Sequence, residues 1–498
     1  MENMRGEPFI RLKGIEKSFG GVHALKNVDL VLYPGEVHAL AGENGSGKST
    51  LIKILSGVYQ ADSGEIEING KTYRKLSAID AIREGIQVIY QDFSIFPNLT
   101  VRENIAVSSE IMTGKKLVSK KRITQIAKRA MDRLGFDVDP DARVELLSVA
   151  DKQLVALARA LHHDAKLIIM DEPTTALTHN EVIRLFSIVE TLKSRGVTIL
   201  FVSHKIDEVF SISENYMILR NGQKIADGQV KDLTSEDFSY YMTGRRFNNQ
   251  KTRREISGEV VLDVQKLGRR NCFSDVSFSV HRGEILAITG FLGSGRTEVA
   301  EALFGLKPAD QGEVFIEGKP VKIHSVQDGM KHGVGYVPED RLTQGLFLRR
   351  SIMDNSIITN IDAHSKALNM IDYASAREEG EKWLTQMSLN TKNYALPVSA
   401  LSGGNQQKVI LARWLAIEPK IFILNGPTVG VDIGAKYDLH QMLIQFADKG
   451  MSIIVISDDI PEVLACSDRV LVMRNGRVIR ELISADVTEE DVNNVLNA

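Results

Sequence analysis

The sequence predicts an α/β protein of two tandem domains, each built on a mainly parallel sheet, and three observations carry that prediction. Apolar runs of strand length alternate with amphipathic segments of helix length, the pattern of strand–helix–strand units covered on both faces. A glycine-rich stretch, Gly42-Glu43-Asn44-Gly45-Ser46-Gly47-Lys48-Ser49-Thr50, lies between one such strand and one such helix. The chain also repeats itself: a second glycine loop begins at Gly290, 248 positions after Gly42, and Leu401-Ser402 lies 254 positions after Leu147-Ser148. A repeat of that length is a duplicated domain, not a solenoid unit. The predicted domains are 1–245 and 256–498, joined by 246–255, a polar and basic stretch read as a solvated linker.

Composition limits the function. With 43% hydrophobic and 25% charged residues, the 498-residue chain has the balance of a soluble globular protein. No uninterrupted apolar run reaches the roughly 18 residues a bilayer span needs, and the start, Met1 to Glu7, lacks the apolar core of a secretory signal. A net charge of −3 argues against a general nucleic-acid binder. The two cysteines, Cys272 and Cys466, match no metal or redox spacing and suit a reduced compartment.

In chain order, Ile10-Arg11-Leu12 and Val28 to Leu32 read as strands, and Val37-His38-Ala39-Leu40-Ala41 as a short buried one. Behind the loop, Leu51, Ile52, Ile54 and Leu55 recur at helical spacing. Glu65-Ile66-Glu67-Ile68 alternates as a strand into the hairpin signal Asn69-Gly70. A helix-rich middle follows: Thr100 with Glu103 is a capping-box start, and Ile123 to Leu134 is amphipathic. The basic residues Lys115, Lys116, Lys120, Lys121 and Arg122 there read as a solvated face. Leu167 to Met170 and Val197 to Val202 are buried strands separated by a helix over Asn180 to Arg195.

The loop fits the phosphate-binding pattern G-x-x-x-x-G-K-[ST]. Its glycines let backbone N–H groups turn toward phosphate oxygens, Lys48 neutralises the outer phosphates, and the Ser49 hydroxyl is placed for Mg²⁺. The companions that phosphoryl transfer needs are present. Asp171 and Glu172 end an apolar strand, putting Asp171 at the sheet edge beside the metal and Glu172 next to an attacking water. His204 ends the next strand, where an imidazole contacts the γ-phosphate and orients Glu172; Gln91, at another strand end, reaches the metal and water.

In order and spacing, Gly42 to Thr50, Gln91, Leu147-Ser148 with Gln153, Asp171-Glu172-Pro173-Thr174 and His204 resemble the Walker A, Q-loop, signature, Walker B and switch histidine of ABC-type ATPases. The second half supplies the signature Leu401-Ser402-Gly403-Gly404-Asn405-Gln406-Gln407. With Gly295-Arg296-Thr297 and Pro338-Glu339-Asp340-Arg341, the tandem layout resembles the ATP-binding subunit of bacterial monosaccharide importers of the ribose, galactose and xylose type. The resemblance implies two P-loop ABC ATPase domains, each a mainly parallel sheet core with an antiparallel β subdomain and a helical subdomain. It implies ATP and Mg²⁺, the metal held by Ser49, Gln91 and Asp171, and head-to-tail pairing in which Ser402, Gly403 and Gly404 meet the nucleotide of the first loop. Phe19 falls where the family stacks an aromatic ring on adenine.

The halves are unequal. In the second, Arg296 replaces the Walker lysine, Glu339 the Q-loop glutamine, Asn425-Gly426 the pair Asp171-Glu172, and Asp458 the histidine. The first departs in its signature, where Val149-Ala150-Asp151 stands for glycine-glycine-glutamine. One hydrolytic and one degenerate site are therefore expected. The family further implies membrane-spanning permease subunits docking near the Q-loops, an extracytoplasmic sugar-binding protein, no nucleic acid, and a peripheral place on the cytoplasmic face of the inner membrane. The docking candidates are Phe93-Ser94-Ile95-Phe96-Pro97 and Leu346-Phe347-Leu348, with burial in the helical subdomain as the alternative. The rival reading is a soluble tandem ATPase acting on ribosomes or nucleic acid, which is expected to carry a long charged insert between halves and working residues in both.

Overall fold

The computed structural model describes residues 6–91, 95–112, 119–175, 177, 179–247, 254, 256, 258–365, 370–389 and 391–497. The chain divides into two compact units, Met1–Phe247 and Asn248–Ala498.

The first unit contains β1 (Ile10–Phe19), β2 (Val22–Leu32), β3 (Val37–Ala41), β4 (Ser63–Ile68), β5 (Lys71–Tyr73), β6 (Ile86–Ile89), β7 (Leu167–Asp171), β8 (Thr198–Val202), β9 (Asn215–Arg220) and β10 (Gln223–Gln229). An antiparallel sheet runs β2-β1-β4-β5, and a six-stranded sheet runs β10-β9-β3-β8-β7-β6, parallel except for β10. The β4–β5 hairpin turns at Asn69 and Gly70, both at positive φ (50° and 75°), as a two-residue turn of this twist requires. In strand β7 the side chains of Leu167, Ile168, Ile169 and Met170 are fully buried, each contributing about 1.5–3 kcal/mol. That burial anchors the strand whose last residue is Asp171.

Helices Val101–Met112, Lys120–Leu134 and Val149–His162 pack on one another. The first starts at the expected capping box: the Thr100 N–H donates to the Glu103 carboxylate at 2.8 Å, and the Glu103 N–H to the Thr100 hydroxyl at 3.4 Å. The second buries Ile123, Ala127, Ala130 and Met131, and Gly135 at φ 65° ends it. Of the basic cluster, Lys115 and Lys116 lie outside the described residues; Lys120 and Lys121 are exposed and Lys120 pairs with Asp141 at 3.4 Å.

The second unit repeats this plan with β11 (Val260–Arg269), β12 (Phe273–His281), β13 (Ile285–Thr289), β14 (Gln311–Ile316), β15 (Lys319–Val321), β16 (Val334–Val337), β17 (Ile421–Asn425), β18 (Ser452–Ile456), β19 (Arg469–Arg474) and β20 (Arg477–Ile483). Its sheets run β12-β11-β14-β15 and β16-β17-β18-β13-β19-β20, the strand order of the first unit. Helices Ile352–Ile357, Tyr373–Gln386 and Gly403–Leu415 form its helical cluster.

Most of the stretch read as a linker lies outside the described residues, but Arg254 is no solvated charge. Its guanidinium pairs with Asp448 at 2.8 Å and Asp468 at 3.0 Å and donates to the Gly283 carbonyl at 3.0 Å. Of the two cysteines, neither of which forms a disulfide among the described residues, Cys466 is buried and Cys272 partly so.

Candidate functional site

In the first unit the carboxyl ends of four parallel strands bring the chemistry together. Register pairs Leu40 with Val202, Val202 with Asp171 and Met170 with Ile89. The residues just beyond, Gly42, His204, Glu172 and Gln91, therefore share one rim of the sheet, where ligands of open α/β sheets bind. Strand β7 is interior, so Asp171 stands at the end of a central strand and not on an edge strand. Its carboxyl is pushed above the ordinary range by burial and by the neighbouring Glu172 charge.

Leaving the fully buried β3, the chain turns at Gly42, where a Cβ would stand 2.4 Å from both the Leu219 carbonyl and the Ser46 hydroxyl. Gly47 at φ 109° begins helix Lys48–Leu55, which has no side-chain cap and no acid in its first turn. With no side-chain cap, its leading N–H groups are placed to face an anion. Lys48 is 6% exposed and donates to the Gly42 and Glu43 carbonyls at 2.6 and 3.0 Å, holding its ammonium over the loop. The Ser46 hydroxyl is buried without a hydrogen-bond partner among the described residues. Asn44, Gly45 and Ser49 are exposed along the loop, and Thr50 is half-buried in the first turn. A glycine-rich cradle of donors with one cation fits a polyphosphate.

Glu172 adopts φ 47°, a left-handed backbone that costs a non-glycine residue about 1–2 kcal/mol. Its carboxylate lies 3.0 Å from His204 Nδ1, and that hydrogen bond, ahead of other causes, holds its carboxyl below the ordinary range. Gln91 is exposed just past the edge strand β6. Phe19 closes β1 with 42% of its surface open and its ring tilted on Tyr59 at 5.2 Å.

The second unit keeps the frame and changes the groups. Arg296, at the Lys48 position, is 7% exposed and pairs through Nη2 with Asp458 at 3.2 Å. The two substitutions, lysine to arginine and histidine to aspartate, thus meet in one ion pair. Gly426 retains the left-handed backbone of Glu172 (φ 57°) without its side chain. Asn425 is buried and its amide donates to the Tyr336 hydroxyl at 3.4 Å.

The two signature segments differ in how they spend their serine. The Ser148 hydroxyl donates to Asp151 at 2.8 Å and accepts that residue's N–H at 3.1 Å, an N-cap that engages it both ways. The Ser402 hydroxyl makes no helix cap and accepts from the Asn405 amide at 3.0 Å. Gly403 is pressed by Arg341: a Cβ there would lie 2.8 Å from its Nη2. That guanidinium also donates to the Val429 carbonyl and, at 3.1 Å, to Gly430, tying the signature helix to the segment after β17. Gly404 is closed off by Ala435 at 2.8 Å.

Two residues that the sequence left unremarked repeat in both units. Glu208 accepts from Thr174 and, at 2.6 Å, from Ser203; Glu462 accepts from Thr428 at 2.5 Å and Ser457 at 2.6 Å. Each buried carboxylate clamps the Walker B turn to the next strand end. Likewise Asn104 and Asn355, both fully buried, accept from and donate to the backbone of Phe96 and Phe347. Recurrence at the spacing of the repeat was the available signal for both, 254 positions for the glutamates and 251 for the asparagines. Of the docking candidates, Phe93 and Ser94 lie outside the described residues. Phe96 and Phe347 are exposed at 52% and 55%, but Leu346 is buried in the core and so is not a surface residue.

A glycine cradle with its lysine, an Asp-Glu pair ending the adjacent strand and a histidine on that glutamate define a P-loop ATPase of the ATP-binding-cassette class. The sequence profile described as ABC transporter matches residues 25–175 and 273–429, one segment per unit. Similar proteins include "Ribose import ATP-binding protein RbsA 1" of Streptomyces coelicolor, 43% identical over 97% of this chain and 96% of its own. Those of Geobacillus kaustophilus (41% identical, 97% and 98% covered) and Clostridium tetani (39%, 99% and 98%) carry the name "Ribose import ATP-binding protein RbsA". The chain belongs to the ABC transporter family, as a tandem-cassette ATPase.

Proposed function

We propose that this chain is the ATP-hydrolysing subunit of an importer for a monosaccharide, with ribose the leading candidate, and that the first unit performs the hydrolysis. The observation that carries this is the asymmetry: one rim holds Lys48, Asp171, Glu172 and His204 together, while the other holds Arg296, Asn425, Gly426 and Asp458. The relatives, aligned over nearly the whole chain, support import over action on ribosomes or nucleic acid.

In this reading Gly42, Glu43, Asn44, Gly45, Ser46, Gly47, Lys48, Ser49 and Thr50 bind the phosphates, Phe19 stacks on adenine, and Ser402, Gly403 and Gly404 act as nucleotide-contacting signature residues. Ser49, Gln91 and Asp171 hold Mg²⁺, which neutralises phosphate charge. The half-buried Asp171 carboxyl, pushed toward its neutral form, suits a cation partner. Glu172 orients water and accepts its proton as oxygen attacks the γ-phosphorus and the bond to the bridging oxygen of ADP breaks; His204 positions the glutamate. Replacing Arg296 with alanine leaves substantial ATP hydrolysis, measured as phosphate release by the full chain. A loss as deep as that from Lys48→Ala overturns the one-site assignment.

Among the described residues no helix is long and apolar enough to cross a membrane. Transport therefore needs membrane-spanning permease subunits, and the reading places the chain against them on the cytoplasmic face, with an extracytoplasmic sugar-binding protein selecting solute. Phe96 and Phe347, presented by Asn104 and Asn355, are the proposed docking contacts. The double variant Phe96→Ser, Phe347→Ser is expected to lose co-purification with the permease while its melting temperature stays within about 2 °C, since both rings are already half in water. Undiminished co-purification rules these contacts out.

A further inference from the structure

The degenerate rim of the second unit carries a reciprocal exchange. In the first unit an amide (Gln91) follows edge strand β6 and a carboxylate (Asp171) ends β7; in the second a carboxylate (Glu339) follows edge strand β16 and an amide (Asn425) ends β17. At these two positions each rim retains one carboxylate and one amide, in opposite places. The exchange has a steric companion: a side chain at Gly426 would start 3.0 Å from Glu339 Cγ, so the glycine that removes the general base also makes room for the displaced acid.

Glu339, Asn425, Tyr336 and Thr297, the last at the Ser49 position, line a cavity of about 450 Å³ beside the second phosphate loop. The other acids near it are engaged. Asp340 caps the turn after it through the Leu342 and Thr343 N–H groups at 3.0 and 3.1 Å, and Asp458 pairs with Arg296; Glu301 has the Lys307 ammonium 2.8 Å away as its counter-charge, although its Oε2 is buried without a well-directed hydrogen bond among the described residues. Among the described residues, Glu339 has neither a side-chain hydrogen bond nor an ion pair. The loop itself points to an anion: among the described residues, Arg296 is 7% exposed with Nη1 buried and without a hydrogen-bond partner, and the buried Ser294 hydroxyl has none either. A metal bound with a nucleotide needs only one or two carboxylates, the phosphates supplying further oxygens.

We propose that the second phosphate loop binds a magnesium–nucleotide and retains it unhydrolysed, with Glu339 as the carboxylate toward the metal and Thr297 as the hydroxyl. This rests on reading the chain as a magnesium-dependent ATPase, and adds that the degenerate unit is a working binding site rebuilt around a relocated acid. With Gly426 at the position of Glu172, this site lacks the general base of the first unit, its remaining carboxylates being committed to the metal and to Arg296.

The test counts Mn²⁺ bound to the full chain by electron paramagnetic resonance, at saturating β,γ-imido ATP. Two ions per wild-type chain and one per Lys48→Ala chain are expected. Adding Glu339→Gln to Lys48→Ala weakens the remaining ion at least tenfold, and adding Asn425→Asp as well, which restores the first unit's arrangement, brings it back to within threefold. That recovery separates lost ligation from lost folding. A Lys48→Ala chain that binds no Mn²⁺, Glu339→Gln without effect, or no recovery with Asn425→Asp each overturns the proposal while leaving the first-unit reading intact. A wild-type chain that binds no Mn²⁺–nucleotide overturns that reading instead.

Discussion

Glu172→Gln lowers steady-state ATP hydrolysis by about 10²–10⁴-fold, the usual worth of a general base, while nucleotide binding persists. Glutamine keeps the size and the left-handed backbone at φ 47°, so the change isolates one property, the ability to take a proton. In the parent, the His204 contact at 3.0 Å holds the carboxyl below its ordinary range, so it is ionised at neutral pH. Its neighbour Asp171 is half-buried and is the proposed metal ligand, not a second base. The backbone supplies a control. Glu172→Gly, the residue found at position 426, is equally inactive but relieves a strain of about 1–2 kcal/mol, so its melting temperature does not fall. Phosphate release and calorimetry check both; hydrolysis within tenfold of the parent assigns the base elsewhere.

Asn355→Ala destabilises the second unit by about 3–4 kcal/mol. The side chain is fully buried and joins three segments: its amide donates to the carbonyls of Phe347 and Ser351 at 3.1 and 3.0 Å, and its oxygen accepts the Phe347 N–H and Arg413 Nη2, both at 2.9 Å. Arg413 is buried as well, donating to the Asn355 and Gly345 carbonyls at 2.6 Å, and burial pushes its guanidinium down to about 10. Truncation leaves the Phe347 N–H and one Arg413 guanidinium N–H without partners, each costing about 1–3 kcal/mol before water or relaxation repairs part of the loss, while the Phe347 and Ser351 carbonyls keep the backbone N–H groups of residues 350 and 355. Urea titration of the full chain is expected to separate the second unit's transition from the first's; a shift under 1 kcal/mol means the network is not structural. The same truncation releases the exposed Phe347, so loss of permease co-purification accompanies it.

These two cases mark how far the sequence can be read. Glu172 was named from its neighbours alone, because an apolar run of four followed by two acids is a strand with its end in view. Asn355 was not, because an asparagine inside a short helix looks like a solvent-facing residue until the segments around Phe347 and Arg413 close over it. Leu346 and Phe347 show the same limit at one-residue resolution: both are apolar, yet the first enters the core and the second faces out. Arg254 looked like one of many linker charges and is held by two aspartates nearly 200 and more than 200 positions away.

By itself, the sequence determined the duplication, the phosphate loops, the strands leading to them and the list of groups missing from the second half. These are matters of spacing over a few residues, where backbone geometry leaves little choice. Only the tertiary structure decided which groups meet: Arg296 with Asp458, Glu339 with the space above Gly426, Glu208 and Glu462 with the Walker B turns. Those meetings depend on parallel strands that crossover segments bring side by side, so residues far apart in the chain become neighbours at one rim, and distance along the sequence carries no record of it.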